Sequence, residues 1–91
     1  MSAPDAARLK RLSMRSWRRG TKEMDLILGP FADARLAAMT PETLERYEAL
    51  LSENDQDLYP WVTGAMPAPA AHAELIAEVA AFLRSRHAAA R

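Results

Sequence analysis

Arg18 to Phe31 reads RRGTKEMDLILGPF, and the fold turns on how that stretch is parsed. Met24, Ile27, Leu28 and Phe31 fall at i, i+3, i+4 and i+7, which is one face of a helix. Leu26 and, further on, Leu36 widen the stripe. Thr21 is placed to start this helix. Gly20, just before it, is a stop for a preceding one, because glycine takes a left-handed conformation without a Cβ penalty. Gly29-Pro30 interrupts the pattern. Pro30 lacks a backbone donor and disfavours helical geometry at Gly29, so a kink or break is expected there, with the helix resuming from Phe31 to about Met39.

Working outward, the segment before Gly20 reads as a helix from about Pro4-Asp5. Its apolar stripe is Leu9, Leu12 and Trp17, with Ala6 and Ser13 or Ser16. Thr40-Pro41-Glu42 is a helix start with an N-cap, proline at N1 and an acid in the first turn. That helix runs to about Leu51 and buries Leu44, Tyr47, Leu50 and Leu51. Asn54 with Asp55 and Asp57 starts a fourth, short helix carrying Leu58, Tyr59, Trp61 and Val62. Pro60 inside it predicts an irregular or 3₁₀ turn, and Gly64 ends it. Residues 65–71 hold Pro67 and Pro69 and read as a loop. Leu75, Ile76, Val79, Phe82 and Leu83 mark a fifth helix, with a tail fraying from Arg84. The fold class is all-α: a compact bundle of five short helices in one domain over residues 1–91, with frayed ends at about 1–4 and 85–91.

With 91 residues, 49% of them hydrophobic, the chain is a small globular protein. A chain of this size buries roughly 60–65% of the surface its unfolded form exposes, so there is no room for a deep substrate cleft. It has no cysteine, which removes disulfides and thiolate metal sites and fits a reducing compartment. No apolar run reaches the ~20 residues of a membrane span. The twelve cations and twelve acids cancel, but not locally. Arg8, Lys10, Arg11, Arg15, Arg18, Arg19 and Lys22 follow one another with no acid between them. Glu42, Glu45, Glu48, Glu53, Asp55 and Asp57 then accompany only Arg46. Such a dipole steers an acidic partner to the N-terminal face. The Arg-rich, acid-poor start also has the composition of a transit peptide, although removing it would remove the Arg-Arg-Gly cluster.

Several chemistries find little support. His72 and His87 stand at opposite ends of the fifth helix, have no acid at ligand spacing, and read as solvent-facing, so no metal site is expected. Ser2, Ser13, Ser16, Ser52 and Ser85 have no histidine nearby in sequence. Arg19-Gly20-Thr21-Lys22 offers cations at a helix start but lacks the glycine spacing of a phosphate loop. The basic helix could meet nucleic acid as a small binding or regulatory module, though the neutral total argues against a dedicated binder. The aromatic residues read as core for the most part. Trp17, beside the basic cluster, is the exception to consider for a partner surface. Arg19 and Glu23 would pair at i, i+4 in a continuous helix. With Gly20 between them, both are expected to reach outward, with Asp25 beside them.

Arg19-Gly20-x-x-Glu23, followed by Met24-Asp25-Leu26-Ile27-Leu28-Gly29-Pro30-Phe31-Ala32, resembles the signature of the succinate dehydrogenase assembly (flavinylation) factor family. Asp57-Leu58-Tyr59-x-Trp61-Val62-x-Gly64 resembles that family's second typical stretch. The likeness spans about residues 8–83. Pro60 departs from it and puts the geometry of the fourth helix in doubt. The resemblance implies a chaperone-like factor, not an enzyme. It would bind the flavoprotein subunit of succinate dehydrogenase, and that of fumarate reductase in some cases. There it would promote covalent attachment of FAD to a histidine of that subunit. FAD then belongs to the partner, and no stably bound cofactor is expected on this chain. The family's functional residues carry over to Arg19, Gly20 and Glu23, with Asp25 and Trp17 as further candidates for the partner surface. The free form is expected to be a monomer or weak dimer, with no nucleic-acid or membrane partner. Because the motif begins at residue 19, leaving no presequence in front, the resemblance implies a bacterial cytoplasmic protein.

Overall fold

The computed structural model describes residues 6–89, with side chains through residue 87. Among these residues there are five α-helices and no strand: α1 (Ala6–Trp17), α2 (Lys22–Arg35), α3 (Pro41–Leu51), α4 (Asp55–Thr63) and α5 (Ala73–Ala89). A 3₁₀ turn, Leu36–Ala38, tightens the end of α2. The expected start at Pro4-Asp5 lies outside the described residues. Beyond Arg84, where fraying is expected, α5 continues helical to Ala89.

The start signals act as read. The Thr21 hydroxyl accepts the Met24 N–H at 3.2 Å, and Thr40 does the same for Thr43 at 3.2 Å. Each satisfies one of the donors a helix leaves open at its N-terminus. Asn54 caps α4 without a side-chain bond. Its carbonyl accepts the Asp57 and Leu58 N–H groups instead, both at 2.9 Å.

α2 is the central element, packed against α1 on one side and α5 on the other. Met24, Ile27, Leu28, Phe31 and Ala32 on its inner face are buried, together with Leu12, Leu36, Leu44, Tyr47, Leu50, Leu51, Leu58, Val62, Leu75, Ile76 and Val79. Phe31 is the hub. Its ring centroid lies 5.9 Å from that of Tyr47 and 5.7 Å, edge-on, from that of Phe82. Each such buried side chain contributes about 1.5–3 kcal/mol of burial energy.

Four expectations are corrected. α2 is not broken at Gly29-Pro30: it runs through both to Arg35. Pro30 has no N–H to give the Leu26 carbonyl, but Gly29 lets the Trp17 ring lie against the helix backbone, and that packing holds the segment. A Cβ built on Gly29 would run into the six-membered ring of Trp17. α4 is likewise a regular α-helix through Pro60, because Leu58 and Val62, four apart, bind one face of it to the core. Leu26 does not widen the buried stripe. It is 50% exposed, since Met24, Ile27 and Leu28 already occupy the inward arc. Finally, His72 does not face solvent. It is 8% exposed, stacks on Trp61 and meets Glu53 through Nε2 at 3.0 Å.

Candidate functional site

α1 ends at Trp17, and the chain must reverse before α2 begins at Lys22. Gly20 makes the reversal with φ +112°, a region that side-chain-bearing residues rarely occupy. Arg19 anchors the turn from both ends. Its backbone N–H donates to Asp25 Oδ1 at 2.6 Å, which ties the turn to the first helical turn of α2. Its guanidinium points inward. Nη1 donates to the Leu51 carbonyl at 2.5 Å, Nη2 to the Glu53 carbonyl at 2.6 Å, and Nε to Asp55 Oδ1 at 2.9 Å.

The chemistry of those partners explains the geometry. Leu51 and Glu53 stand at and just beyond the C-terminus of α3, where carbonyls have no helical donor and the helix dipole is negative. Asp55 opens α4, where an acid is favoured. A guanidinium between the two completes both ends at once, and its planar fork matches three acceptors. The Arg19 side chain is therefore only 10% exposed. The expectation that it reaches outward is corrected for this reason. The partners lie 32 to 36 residues away, beyond any local spacing rule.

Glu23 does what its neighbour does not. It is exposed and forms no pair with Arg19. It stands between two adjoining grooves. One, of about 420 Å³, is bounded by Thr21, Glu23, Met24, Asp55, Gln56 and Tyr59. The other, also about 420 Å³, is bounded by Glu23, Leu26, Ile27, Tyr59, Leu83, Arg86 and His87. Tyr59 is 45% exposed and shared by both. The sequence places it in the core, but only Leu58 and Val62 of α4 are buried. Tyr59 and Leu26 are the site residues that sequence reasoning placed inside. A stricter 3.6-residue reading turns Leu26 outward, opposite Met24 and Leu28, whereas Tyr59 and Trp61 flank the buried face of α4 equally and only Trp61 packs on the core.

The five candidates thus divide. Arg19, Gly20 and Asp25 form the turn, and Glu23 is its presented carboxylate. Trp17 packs on Gly29 and donates its Nε1–H to Asp33 Oδ2 at 3.2 Å, while the Ser13 hydroxyl donates to Asp33 Oδ1 at 3.1 Å. Trp17 keeps 38% exposure. Behind the turn, the Ser16 hydroxyl donates to the Leu12 carbonyl at 2.8 Å. Ser16 has one proton, so in the 2.7 Å contact with Tyr47 it is the tyrosine O–H that donates. Burial pushes the Tyr47 phenol up to about 12, against the opposing pull of the Ser16 hydroxyl, which turns to donate when the phenol is ionised, and of the Arg19 and Arg15 charges.

The basic run is less available than its sequence implies. Arg8 pairs with Glu48 at 2.9 Å, Arg15 approaches the same carboxylate at 3.9 Å, and Arg19 is turned inward. Among the described residues no group of His, Cys, Asp or Glu could hold a metal ion, and no helix is long and apolar enough to cross a membrane.

With this turn, its glycine and its exposed carboxylate in place, comparison with known proteins is decisive. Residues 10–83 match the family described as "Flavinator of succinate dehydrogenase". The chain belongs to that family. A similar protein from Aspergillus terreus, "Succinate dehydrogenase assembly factor 2, mitochondrial", is 45% identical over 70% of this chain and 22% of its own length. One of the same name from Candida glabrata is 51% identical over 58% of this chain and 35% of its own. "FAD assembly factor SdhE" from Acetobacter pasteurianus is 41% identical over 70% of this chain and 59% of its own. The chain therefore spans between about a fifth and three fifths of the length of these relatives.

Proposed function

We propose that this protein is an assembly factor that binds the flavoprotein subunit of succinate dehydrogenase and promotes covalent attachment of FAD to it. The flavoprotein of fumarate reductase is a second client. The observation that carries the reading is the family match over residues 10–83, which contains the whole turn from Arg19 to Glu23. The bond-forming chemistry and the FAD reside in the partner, and this chain acts by holding a conformation. The setting is the bacterial cytoplasm, with the mitochondrial names of the fungal relatives marking the alternative.

In this reading each residue of the turn has a part. Arg19 is a positioning residue: its inward guanidinium fixes the turn against α3 and α4. Asp25 holds the turn's backbone from the α2 side. Gly20, exposed and without a side chain, lets the client's backbone approach. Glu23 offers a carboxylate acceptor to the client's donors. Because among the described residues it makes no hydrogen bond or ion pair inside the fold and contributes only as an acid in the first turn of α2, its replacement removes contact with little loss of structure.

The test is covalent flavin on the succinate dehydrogenase flavoprotein, read as in-gel fluorescence after denaturation. Cells with the protein, without it, and with Glu23→Ala are compared. The band should fade in the last two, with the variant still folded by circular dichroism. A band of equal intensity in all three would overturn the reading.

A further inference from the structure

The groove between Glu23 and the end of α5 is not accounted for by the Arg19–Glu23 turn. Its floor is apolar: Leu26, Ile27, Tyr59 and Leu83. Leu26 and Tyr59 are two of the largest exposed apolar side chains of the molecule, and they meet here. Its α5 wall carries Arg86 and His87. Arg86 holds its guanidinium 6.0 Å from the centroid of the Phe82 ring, which orients the cation without neutralising it. Among the described residues Arg86 forms no ion pair, unlike Arg8, Arg15, Arg19 and Arg46. Both Arg86 and His87 lie beyond the stretch that matches the family, which stops at residue 83.

We infer that this groove is a second docking surface, taking a segment of the flavoprotein client in which an apolar side chain is followed by a carboxylate. The inference rests on the proposed function for its partner. The apolar floor would bury the side chain, and Arg86, assisted by His87, would receive the acid. Charge complementarity decides the occupant. Glu23 lines the opposite end of the same apolar groove, so the unpaired cation favours an acid at the α5 end in particular and speeds its encounter there. Because the cationic wall is outside the family-matched residues, it sets which client this chain selects. The Arg19–Glu23 turn carries the function common to the family.

The experiment uses the full chain and the flavoprotein lacking covalent FAD, with association and dissociation rates measured at about 0.05 M and about 0.5 M salt. Arg86→Glu should weaken binding about tenfold, mainly through slower association, and should flatten the salt dependence. Arg86→Met keeps the packing on Phe82 and removes the charge. It should flatten the salt dependence with a smaller loss. Arg84→Glu makes the same charge change at an exposed α5 position that does not line the groove and should leave binding near that of the unaltered chain. Equal losses for Arg86→Glu and Arg84→Glu would reduce the effect to net charge and overturn the inference. So would binding of Arg86→Glu at the original rate, even where Glu23→Ala has lost flavin attachment and the proposed function stands. If the unaltered chain does not bind the flavoprotein, the proposed function fails and takes the groove's occupant with it. A concentration-dependent dimer in sedimentation, abolished by Arg86→Glu, would give the groove to a second copy of the chain instead and overturn the flavoprotein assignment.

Discussion

Gly20 and Gly29 stand nine residues apart on either side of the start of α2, and they are glycine for opposite reasons. Gly20 has φ +112° and open space: a Cβ there would meet only Asp55 Oδ2, at 3.8 Å. Gly29 lies in the regular α-helix and has no room, because the Trp17 ring occupies the place of its Cβ. One position needs conformational freedom, the other needs volume. The turn around Gly20 is held by polar contacts and carries the presented surface. The crossing around Gly29 is held by packing and carries stability.

The largest effect belongs to the polar side. Arg19→Met leaves the Leu51 and Glu53 carbonyls without their donor and Asp55 without its cation. Removing one partner of a largely buried ion pair should cost about 3 kcal/mol, read from urea denaturation. Arg19→Lys retains the charge but cannot fork to three acceptors, so it should recover only part of the loss. A loss of less than about 1 kcal/mol for Arg19→Met would mean that the turn is held by something other than its guanidinium.

Next comes the buried phenol behind the crossing. The unfolded Tyr47 titrates near 10.0, the folded one near about 12. Between those values the unfolded chain has lost a proton that the folded chain keeps, so stability falls as pH rises. The slope is about 1.4 kcal/mol per pH unit, about 2 to 3 kcal/mol in all, with the full contribution present below pH 10. Tyr47→Phe should abolish this part of the alkaline loss. Arg19→Met should push the phenol higher still, since the Arg19 charge pulls it down. Parallel stability curves for the unaltered chain and Tyr47→Phe up to pH 12 would exclude this coupling.

A smaller effect, but one with a diagnostic sign, is expected at the crossing itself. Gly29→Ala should destabilise by about 1 to 3 kcal/mol through overpacking against Trp17, although alanine is favoured in a helix by about 1 kcal/mol. In a Trp17→Ala background the ring is gone, and Gly29→Ala should become stabilising. This double-mutant cycle isolates the contact. The same sign in both backgrounds would show that the ring does not set the choice of glycine.

These cases also show what is legible in the sequence and why the rest is not. The helices and most of the core follow from periodicity and caps: Met24, Ile27, Leu28 and Phe31 inward, Thr21 and Thr40 at helix starts. Gly20 is legible as a turn because its requirement is local. Gly29 is not, because its requirement is a ring twelve residues back in another helix, and a glycine next to a proline reads as a break. Arg19 is found by motif but misread in direction, since its acceptors lie more than thirty residues away. His72 is misread because its partners, Glu53 and Trp61, stand 19 and 11 residues back on other elements, outside any helical spacing. Hydrophobicity alone places Tyr59 and Leu26 inward, and it is their exposure that forms the groove floor.

Gly20→Ala should have the smallest effect on stability and is the most informative change at the surface. No side chain or backbone crowds the position, so the cost is that of holding an L-residue at φ +112°, about 1 to 2 kcal/mol. The cost would come from the folded chain's own dihedral, not from any neighbour. Replacing Gly20 with D-alanine, for which positive φ is the ordinary region, should therefore restore stability to within about 0.5 kcal/mol of the unaltered chain. Flavin attachment then separates the two possible demands on this residue. If the D-alanine protein folds stably and still fails, Gly20 is glycine because a client's backbone comes too close for any side chain. If it folds and supports full attachment, the glycine serves only the turn, and the contact surface begins at Glu23.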